Sequence, residues 1–312
     1  MAEPLGLVAV LVGLIVLFSL FNDRFFTAAT LNQIANQVPA LTVIAIGATF
    51  VIIAGGIDLS VGSVMAFSGA VLGISLVEWG VPFVGAVFLA IFAGVVCGAL
   101  NGWITVRFRV PGFIVTLGMM QIARGLAYLA TRSQTVYIGK SVEWVGSPLP
   151  VAGFSPAFAI AVLLVILGQI ILHGTVFGRY VRVIGANEEV AIYSGIRTGP
   201  IKIGVYLLAG ALAGLAALFD GSKIQAIDPN AGSGIELSAI AAAVIGGTSL
   251  MGGRGSVVGT FIGVLIIATL GAGLAQMGTS EPVKLLVTGI VIVAAVIIDG
   301  WKNRRRTFQI SS

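Results

Sequence analysis

Long apolar runs separated by short polar stretches dominate the pattern of this 312-residue chain. A helix rises about 1.5 Å per residue, so a run of roughly 17 to 25 apolar residues is long enough to cross a membrane. The pattern predicts an all-α polytopic membrane protein with one transmembrane domain over residues 1–312. About ten transmembrane helices are expected, some broken or short, at residues 5–21, 38–54, 59–77, 82–104, 111–131, 154–173, 201–219, 237–245, 257–276 and 283–298.

The polar stretches between these runs differ in character. Residues 22–37 mix apolar and polar side chains, as is typical of a short helix at the membrane interface. Residues 132–153 are expected to form a polar hairpin and residues 220–236 a second polar loop. The first run has neither a basic segment before it nor a clear small-residue cleavage site after it, so we expect a retained helix and not a signal peptide.

Composition supports the membrane class, since 58% of residues are hydrophobic and only 9% are charged. The chain has 43 glycines, which in lipid allow helices to approach closely, so tight helix packing is expected. The single cysteine, Cys97, excludes an internal disulfide and is predicted to be a buried thiol because it lies in an apolar run.

The formal net charge of +5 is spread between the apolar runs, so it indicates orientation in a membrane and not nucleic-acid binding. If ten spans start from a cytoplasmic N-terminus, 11 of the 17 Lys and Arg residues are cytoplasmic. The positive-inside rule therefore predicts that both termini are cytoplasmic.

The motifs of several enzyme classes are missing. The sequence contains no G-x-x-x-x-G-K-[ST] phosphate loop, no H-E-x-x-H and no G-x-S-x-G. Its one histidine, His173, stands beside no nucleophile motif. We expect no enzymatic activity, no cofactor and no metal on this chain.

Asp58 lies where one apolar run stops and the next begins. A carboxylate at membrane depth is unfavourable unless it is paired or hydrated. Asp58 is predicted to cap the helix that follows by accepting N–H bonds from Ser60 or Val61. Direct contact with a transported solute is the alternative role. The candidate residues of this stretch, Gly55-Gly-Ile-Asp-Leu-Ser-Val-Gly62, are Gly55, Gly56, Asp58, Ser60 and Gly62.

A second glycine-rich stretch, Gly246-Gly-Thr-Ser-Leu-Met-Gly-Gly253, shares the pattern G-G-x-x-L-x-x-G with the first. Paired broken helices are typical of transporters built from internal repeats. The shared pattern indicates either an internal repeat or a coincidence in a glycine-rich chain. Its candidate residues are Gly246, Gly247, Thr248 and Ser249.

A few polar residues stand within or at the ends of the apolar runs. Arg124 is the most deeply placed basic residue, and it either pairs with Asp220, Glu236 or backbone carbonyls or lines a pathway. Asn101 and Thr116 either bond neighbouring helices together or line the same pathway. Glu236 is predicted to begin a helix, where its charge complements the positive helix end.

Residues 174–200, the charged segment, interrupt the apolar pattern most strongly. On a helix, Glu189, Ile192, Tyr193 and Ile196 share one face, and Gly195 would end that helix. This mixed face predicts docking onto a protein partner, and the alternative is a helix on the bilayer surface whose arginines bind headgroups. The candidate docking residues are Gly185, Asn187, Glu188, Glu189, Ala191, Tyr193, Ser194 and Gly195.

Two of these motifs resemble the ribose-type sugar permeases of ATP-binding-cassette (ABC) importers. The stretch from Gly185 to Ile196 is similar to their cytoplasmic coupling segment, and the stretch from Gly55 to Gly62 is similar to a signature of that branch. The pair Arg124-Gly125 also resembles a pair in these permeases, and an acidic residue similar to Glu236 follows Gly-x-Gly in them. The resemblance extends from about residue 26 to residue 299.

The resemblance implies the transmembrane subunit of an importer for a monosaccharide such as ribose or a related pentose or hexose. It implies an ABC ATPase subunit, a periplasmic or lipid-anchored sugar-binding protein and a second permease subunit, identical or related. The expected location is the bacterial cytoplasmic (inner) membrane, and Glu236 becomes a candidate for an outer gate or docking contact.

Two alternatives remain open at this point. One is an ABC permease for another small solute, such as a nucleoside, a polyol or a branched-chain amino acid. The other is an ATP-independent channel or secondary transporter, against which the scarcity of intramembrane carboxylates argues. The coupling segment also departs from the family, since Asn187-Glu-Glu-Val-Ala191 stands where relatives often have Asn-Glu-Ala-Ala.

Overall fold

The computed structural model describes residues 2–150, 152–280, 282–291 and 293–294. The end of the tenth predicted run, from residue 295, and the basic cluster after it lie outside the described residues. Two short strands, β1 (Val136–Tyr137) and β2 (Ala226–Ile227), accompany a largely helical chain. The helices are α1 Ala2–Phe21, α2 Ala28–Gln37, α3 Pro39–Ile53, α4 Val61–Val77, α5 Phe83–Phe108, α6 Gly112–Thr131, α7 Glu143–Gly146, α8 Pro156–Gly174, α9 Val176–Ala186, α10 Glu188–Tyr193, α11 Thr198–Ile224, α12 Ile235–Ile245, α13 Val257–Gln276 and α14 Pro282–Val291.

Five of the described helices are long and apolar enough to cross a membrane, namely α5, α6, α8, α11 and α13. A sixth span results if α2 and α3, which are bent by 50° at the break between them, count as one. Shorter apolar helices complete the set. The predicted class, an all-α polytopic membrane protein, is therefore confirmed.

Capping side chains explain where several helices begin. Ser155 accepts a hydrogen bond from Phe158 N at the start of α8, and Pro156 occupies the first helical position. Thr175 caps α9 and Ser256 caps α13 in the same way. These oxygens satisfy N–H groups that have no partner within the helix, so each helix begins close to the start of its run.

Helix α3 is the centre of the bundle, and every residue in it except Leu41 is buried. Its Thr49 hydroxyl lies 2.7 Å from the hydroxyl of Thr260 in α13. Helices α5 and α11 approach so closely that a methyl group on Gly94 would overlap the carbonyl oxygen of Gly210. The expected tight, glycine-mediated packing is therefore present.

The stretch predicted as a polar hairpin, residues 132–153, is built differently. It contains β1, a 3₁₀ turn at Gly139–Ser141 and the short helix α7. Strand β1 does not pair within the stretch but with the distant β2, in antiparallel register, so that Val136 is opposite Ile227. We call these two strands the β1–β2 ribbon.

One predicted loop boundary was wrong. Helix α11 continues through Asp220 to Ile224, because Gly221 and Ser222 are buried against neighbouring elements. Polarity alone marked residues 220–224 as part of a loop, whereas packing on one side was enough to keep them helical. The charged segment contains the helix expected around residue 189, which is α10, and a further helix, α9, that meets it at Asn187.

Candidate functional site

Between α3 and α4 the chain has no regular helix from residue 54 to residue 60, which we call the first break. It starts at Gly55, whose φ of +82° lies in the left-handed region that favours glycine. The neighbouring helix α6 satisfies part of its backbone, because Leu59 N donates to Thr116 Oγ1 over 3.2 Å. The Thr116 hydroxyl lies 3.3 Å from the Ile57 carbonyl oxygen. Thr116 therefore bonds one helix to the first break, as predicted for an interhelical residue.

Asp58 is only 5% exposed and belongs to a chain of buried polar groups. Its Oδ1 accepts from Ser60 N at 2.8 Å and from Ser60 Oγ at 2.6 Å. Asn101 of α5 in turn donates its amide to Ser60 Oγ over 2.9 Å. The predicted bond from Ser60 is thus present, but the N-cap position of α4 is Ser60 itself. Asp58 holds the turn that precedes the helix.

Asn101 has one atom without a partner. Its Oδ1 is buried and accepts no hydrogen bond from any described residue. The sequence indicated only that Asn101 was a polar residue in a span. The fold is needed to place it beside Ser60, some forty residues earlier in the chain.

Arg124 is bonded to backbone and not to a carboxylate. Its Nη1 donates to the carbonyl oxygens of Pro229 at 2.6 Å and Ala231 at 2.9 Å. Of the partners left open by the sequence, the carbonyls are therefore correct, and direct hydrogen bonds to Asp220 and Glu236 are not formed. Arg124 fixes the segment between α11 and α12, residues 225–234, which includes these two carbonyls.

Residues 225–234 contain no regular element other than β2. Helix α12 after them has only 11 residues and rises about 16 Å, roughly half of the thickness of a hydrocarbon core. Backbone groups without helical bonds need donors from protein wherever water does not supply them. Arg124, which is half-buried, supplies two such bonds and therefore has a structural role. We call residues 225–234 the α11–α12 connection.

The α11–α12 connection meets the start of α4 at Gly62. A Cβ on Gly62 would overlap the Gly232 carbonyl oxygen and lie 2.5 Å from Glu236 Oε2, so only glycine fits there. Glu236 lies in the first turn of α12, after Gly234 at the N-cap, as predicted. The structure thus brings Gly62, Arg124 and Glu236 to one region, which the sequence did not indicate.

The second break, residues 246–256, lies between α12 and α13. Here Gly247 has a φ of +87°, whereas in the first break the left-handed glycine is the first of the pair, Gly55. The two glycine pairs therefore differ in register by one residue. Ser249 N donates to Arg254 O over 3.0 Å, and Thr248 is fully buried with no hydrogen bond to its hydroxyl from the described part of the chain.

The charged segment ends in a short helix with well-defined caps. Asn187 caps α10 by accepting from Val190 N over 3.0 Å, and Glu188 forms an ion pair with Lys202 of α11. After Ser194, Gly195 has a φ of +79° and ends the helix, as predicted.

The side chains of α10 divide into two groups. Ala191 is buried against the bundle, whereas Glu189, Val190, Ile192 and Tyr193 are exposed. The predicted helical face extended to residue 196, but α10 stops at residue 193, so that part of the face was wrong.

A cavity of about 790 Å³ opens between the first break and the charged segment. Gly55, Gly56 and Ile57 line one side, and Glu189 and Ile192 line another. The remaining lining includes residues that the sequence analysis did not single out, notably Thr105, Arg109 and Tyr206. A tyrosine within an apolar run was the signal that could have identified Tyr206.

Among the described residues, no group of three or more His, Cys, Asp or Glu side chains is placed to bind a metal ion.

Comparison with known proteins gives a consistent result. Residues 30–296 match the family model described as branched-chain amino acid transport system / permease component. The ribose import permease of Escherichia coli strain K12 is 39% identical over 306 residues, which cover 96% of this chain and 94% of that protein. The fructose import permease of Rhizobium meliloti is 34% identical, covering 95% of this chain and 84% of that protein.

Among solved structures, a metal-chelate type ABC transporter in an inward-facing conformation is similar in fold. Its TM-score is 0.53 at 16% identity, and the match covers 96% of this chain and 98% of that chain. The chain therefore belongs to this family of transport-system permease components, in its branch of ribose-type sugar ABC permeases.

Proposed function

We propose that this chain is the transmembrane subunit of an ATP-driven importer for a monosaccharide such as ribose or a related pentose or hexose. Relatives named for ribose and fructose import support a sugar substrate, since both align over nearly the whole chain. A separate ABC ATPase would supply the energy, and a periplasmic or lipid-anchored binding protein would deliver the sugar.

We propose ten spans with both termini in the cytoplasm of a bacterial cell. The five clear spans, the bent pair α2 and α3, and the four shorter helices α1, α4, α12 and α14 support this count. The two breaks would be corresponding parts of an internal repeat. Their direct contact supports this assignment, whereas the one-residue difference in the position of the left-handed glycine argues against it.

The observation that carries the proposal is the exposed apolar surface of α10. Tyr193 is 89% exposed, and Val190 and Ile192 are each 54% exposed. A capping bond and an ion pair hold this helix in place at the end of the long helices. An ordered apolar patch on a charged segment is typical of a protein interface, and the ATPase subunit is the partner that fits this family.

Helix α6 supports a second permease subunit. Gln121 is exposed on it, and the positions where Cβ atoms of Gly118 and Gly125 would lie meet open space. An exposed amide is unfavourable in lipid, whereas small residues and amides are common where helices of two subunits approach. A second copy or a related chain facing α6 would form the pathway between the two subunits.

The β1–β2 ribbon and its surroundings, which this topology places on the outer side, suit the binding protein. Tyr137 of β1 is 78% exposed and Trp144 of α7 is 57% exposed. Exposed aromatic side chains on an ordered outer surface are typical anchors of protein interfaces.

The substitution Tyr193→Asp tests the docking of the ATPase. The variant should insert and fold as the wild type does, because Tyr193 packs against little else, but it should lose co-purification with the ATPase and at least 90% of ATP-dependent uptake. Tyr137→Asp is the matched control, since it makes the same change on the opposite side and should leave ATPase co-purification unchanged.

Wild-type recovery of the ATPase with Tyr193→Asp, together with normal uptake, would contradict docking through α10 and favour a helix on the bilayer surface. Uptake into vesicles with trapped ATP, compared with an ion gradient alone, separates an ATP-driven importer from a secondary transporter or channel.

A further inference from the structure

Three segments of backbone meet at Gly185, the last but one residue of α9. A Cβ atom on Gly185 would overlap the carbonyl oxygen of Ile53 and lie 2.7 Å from Gly253 N. Real Cβ atoms are essentially never found within 3.0 Å of such neighbours. The backbone of the charged segment therefore touches the other two segments directly, with no side chain between them.

The other two segments are also bonded to each other. Gly253 N donates to the Ile53 carbonyl oxygen over 2.9 Å. A Cβ on Gly252 would lie 2.6 Å from the carbonyl oxygen of Gly185. The φ angles of Gly252 and Gly253 are +83° and +74°, in the region that favours glycine. These glycines let the loop turn closely enough to contact both partners.

The two partners of Gly185 are the two breaks. Ile53 is the last residue of α3, immediately before the first break, and residues 252 and 253 lie in the second break. The first break is bonded onward to α6 through Thr116 and to α5 through Asn101. A displacement at Gly185 would thus reach both discontinuous helices and, through the first break, two long spans.

The connection from Gly185 to α10 is short. Only Ala186 separates Gly185 from Asn187, whose side chain caps α10. Glu188, the first residue of α10, is ion-paired with Lys202 of α11. Because no flexible linker intervenes, a movement of α10 acts directly on Gly185.

We propose that Gly185 is a positioning residue through which movement of α10 is passed to the end of α3 and to the second break, with Gly252 and Gly253 as its contacts in that break. This rests on the proposed docking of an ATPase on α10. A methyl group at Gly185 would push the three backbones apart and break the transmission, while the docking surface on α10 would stay intact.

The test compares Gly185→Ala with Gly174→Ala in proteoliposomes that contain the ATPase and the binding protein. Gly174 is the matched control because a Cβ there meets only an ordinary contact, 3.7 Å from Ile170. Gly185→Ala should co-purify with the ATPase and hydrolyse ATP, while the sugar transported per ATP hydrolysed falls at least tenfold. Gly174→Ala should keep the wild-type ratio.

A second measurement needs no change at Gly185. Ile57 lies in the first break and is 37% exposed toward the cavity, so Ile57→Cys reports on that break. Its labelling rate in the complete complex should change at least threefold between the nucleotide-free state and the state with bound non-hydrolysable ATP analogue.

The outcomes separate this proposal from the docking on which it rests. Normal coupling in an assembled Gly185→Ala complex overturns the role of Gly185, even if Tyr193→Asp abolishes ATPase binding. If Gly185→Ala is not recovered from the membrane, the labelling of Ile57→Cys decides, and a rate that is independent of nucleotide overturns the proposal. Failure of docking would appear separately, as normal ATPase recovery with Tyr193→Asp.

Discussion

Replacing Arg124 by methionine tests whether this residue holds the α11–α12 connection in place. The change keeps a long, flexible side chain and removes both donors to Pro229 O and Ala231 O, at 2.6 and 2.9 Å. A hydrogen bond from a charged donor contributes about 1.5 to 3 kcal/mol in water-soluble proteins. Interhelical bonds measured in membranes average nearer 0.6 kcal/mol. Two bonds of intermediate strength therefore correspond to a loss of roughly 3 kcal/mol in the free energy of unfolding.

The assay is thermal unfolding of the purified chain in detergent. A loss of this size lowers the midpoint by roughly 5 °C, since each kcal/mol shifts the midpoint of a chain of this size by about 2 °C. The midpoint of Arg124→Lys should fall less than that of Arg124→Met, because both bonds come from one nitrogen and an ammonium nitrogen can also donate to two acceptors. Hydrogen exchange over residues 225–234 should also become faster in Arg124→Met, because two carbonyls lose their donor.

Arg107→Met is the matched control, since Arg107 is exposed in the last turn of α5. Its midpoint should stay within about 1 °C of the wild type, as is usual for surface substitutions. An unchanged midpoint and unchanged exchange for Arg124→Met would refute the structural role, and an equal drop for Arg107→Met would show that the effect is one of charge in general.

Three further expectations concern the breaks, the core and the topology. Asp58→Asn should keep folding and most of the uptake because the amide oxygen still accepts the bond from Ser60, whereas Asp58→Leu should lose expression; wild-type uptake by the leucine variant would contradict this. Thr49→Val should destabilise the chain by about 1 kcal/mol in thermal unfolding, because it leaves the Thr260 hydroxyl unpaired. Adding Thr260→Val should recover part of this loss, and strictly additive effects in the double variant would rule out the pairing. In a cysteine-free background, Lys140→Cys should react with an impermeant thiol reagent from outside the cell and Arg107→Cys only after permeabilisation, so the reverse pattern would invert the proposed orientation.

Much of the site's chemistry could be predicted from local sequence. Asp58 was expected to accept a bond from Ser60, two residues away, and the structure contains it. Gly195 was expected to end a helix, and it has the left-handed φ of +79° that such an ending uses. These predictions succeeded because capping and termination depend on residues within one turn of each other.

The partners of Arg124 and the contacts of Gly185 could not be obtained in this way. Arg124 bonds to carbonyls more than one hundred positions later, and every residue type offers the same carbonyl, so no side-chain pattern marks the partner. Gly185 resembled one member of a coupling motif, but its contact with Ile53 depends on how two other helices end. The helical state of α9 was likewise decided by one buried face, which contains Gly178, Val181 and Ile184.

The sequence by itself determined the class of this protein and the positions of its two breaks, because the bilayer imposes a minimum length and a low polarity on every segment that crosses it. Its motifs also determined the family. Only the tertiary structure decided that the two breaks and the charged segment meet at Gly185, and that the α11–α12 connection meets the start of α4 at Gly62. The physical reason is that the bilayer requires each spanning segment to be apolar but does not determine which helices pack together. Close backbone contacts and a few interhelical hydrogen bonds determine that packing.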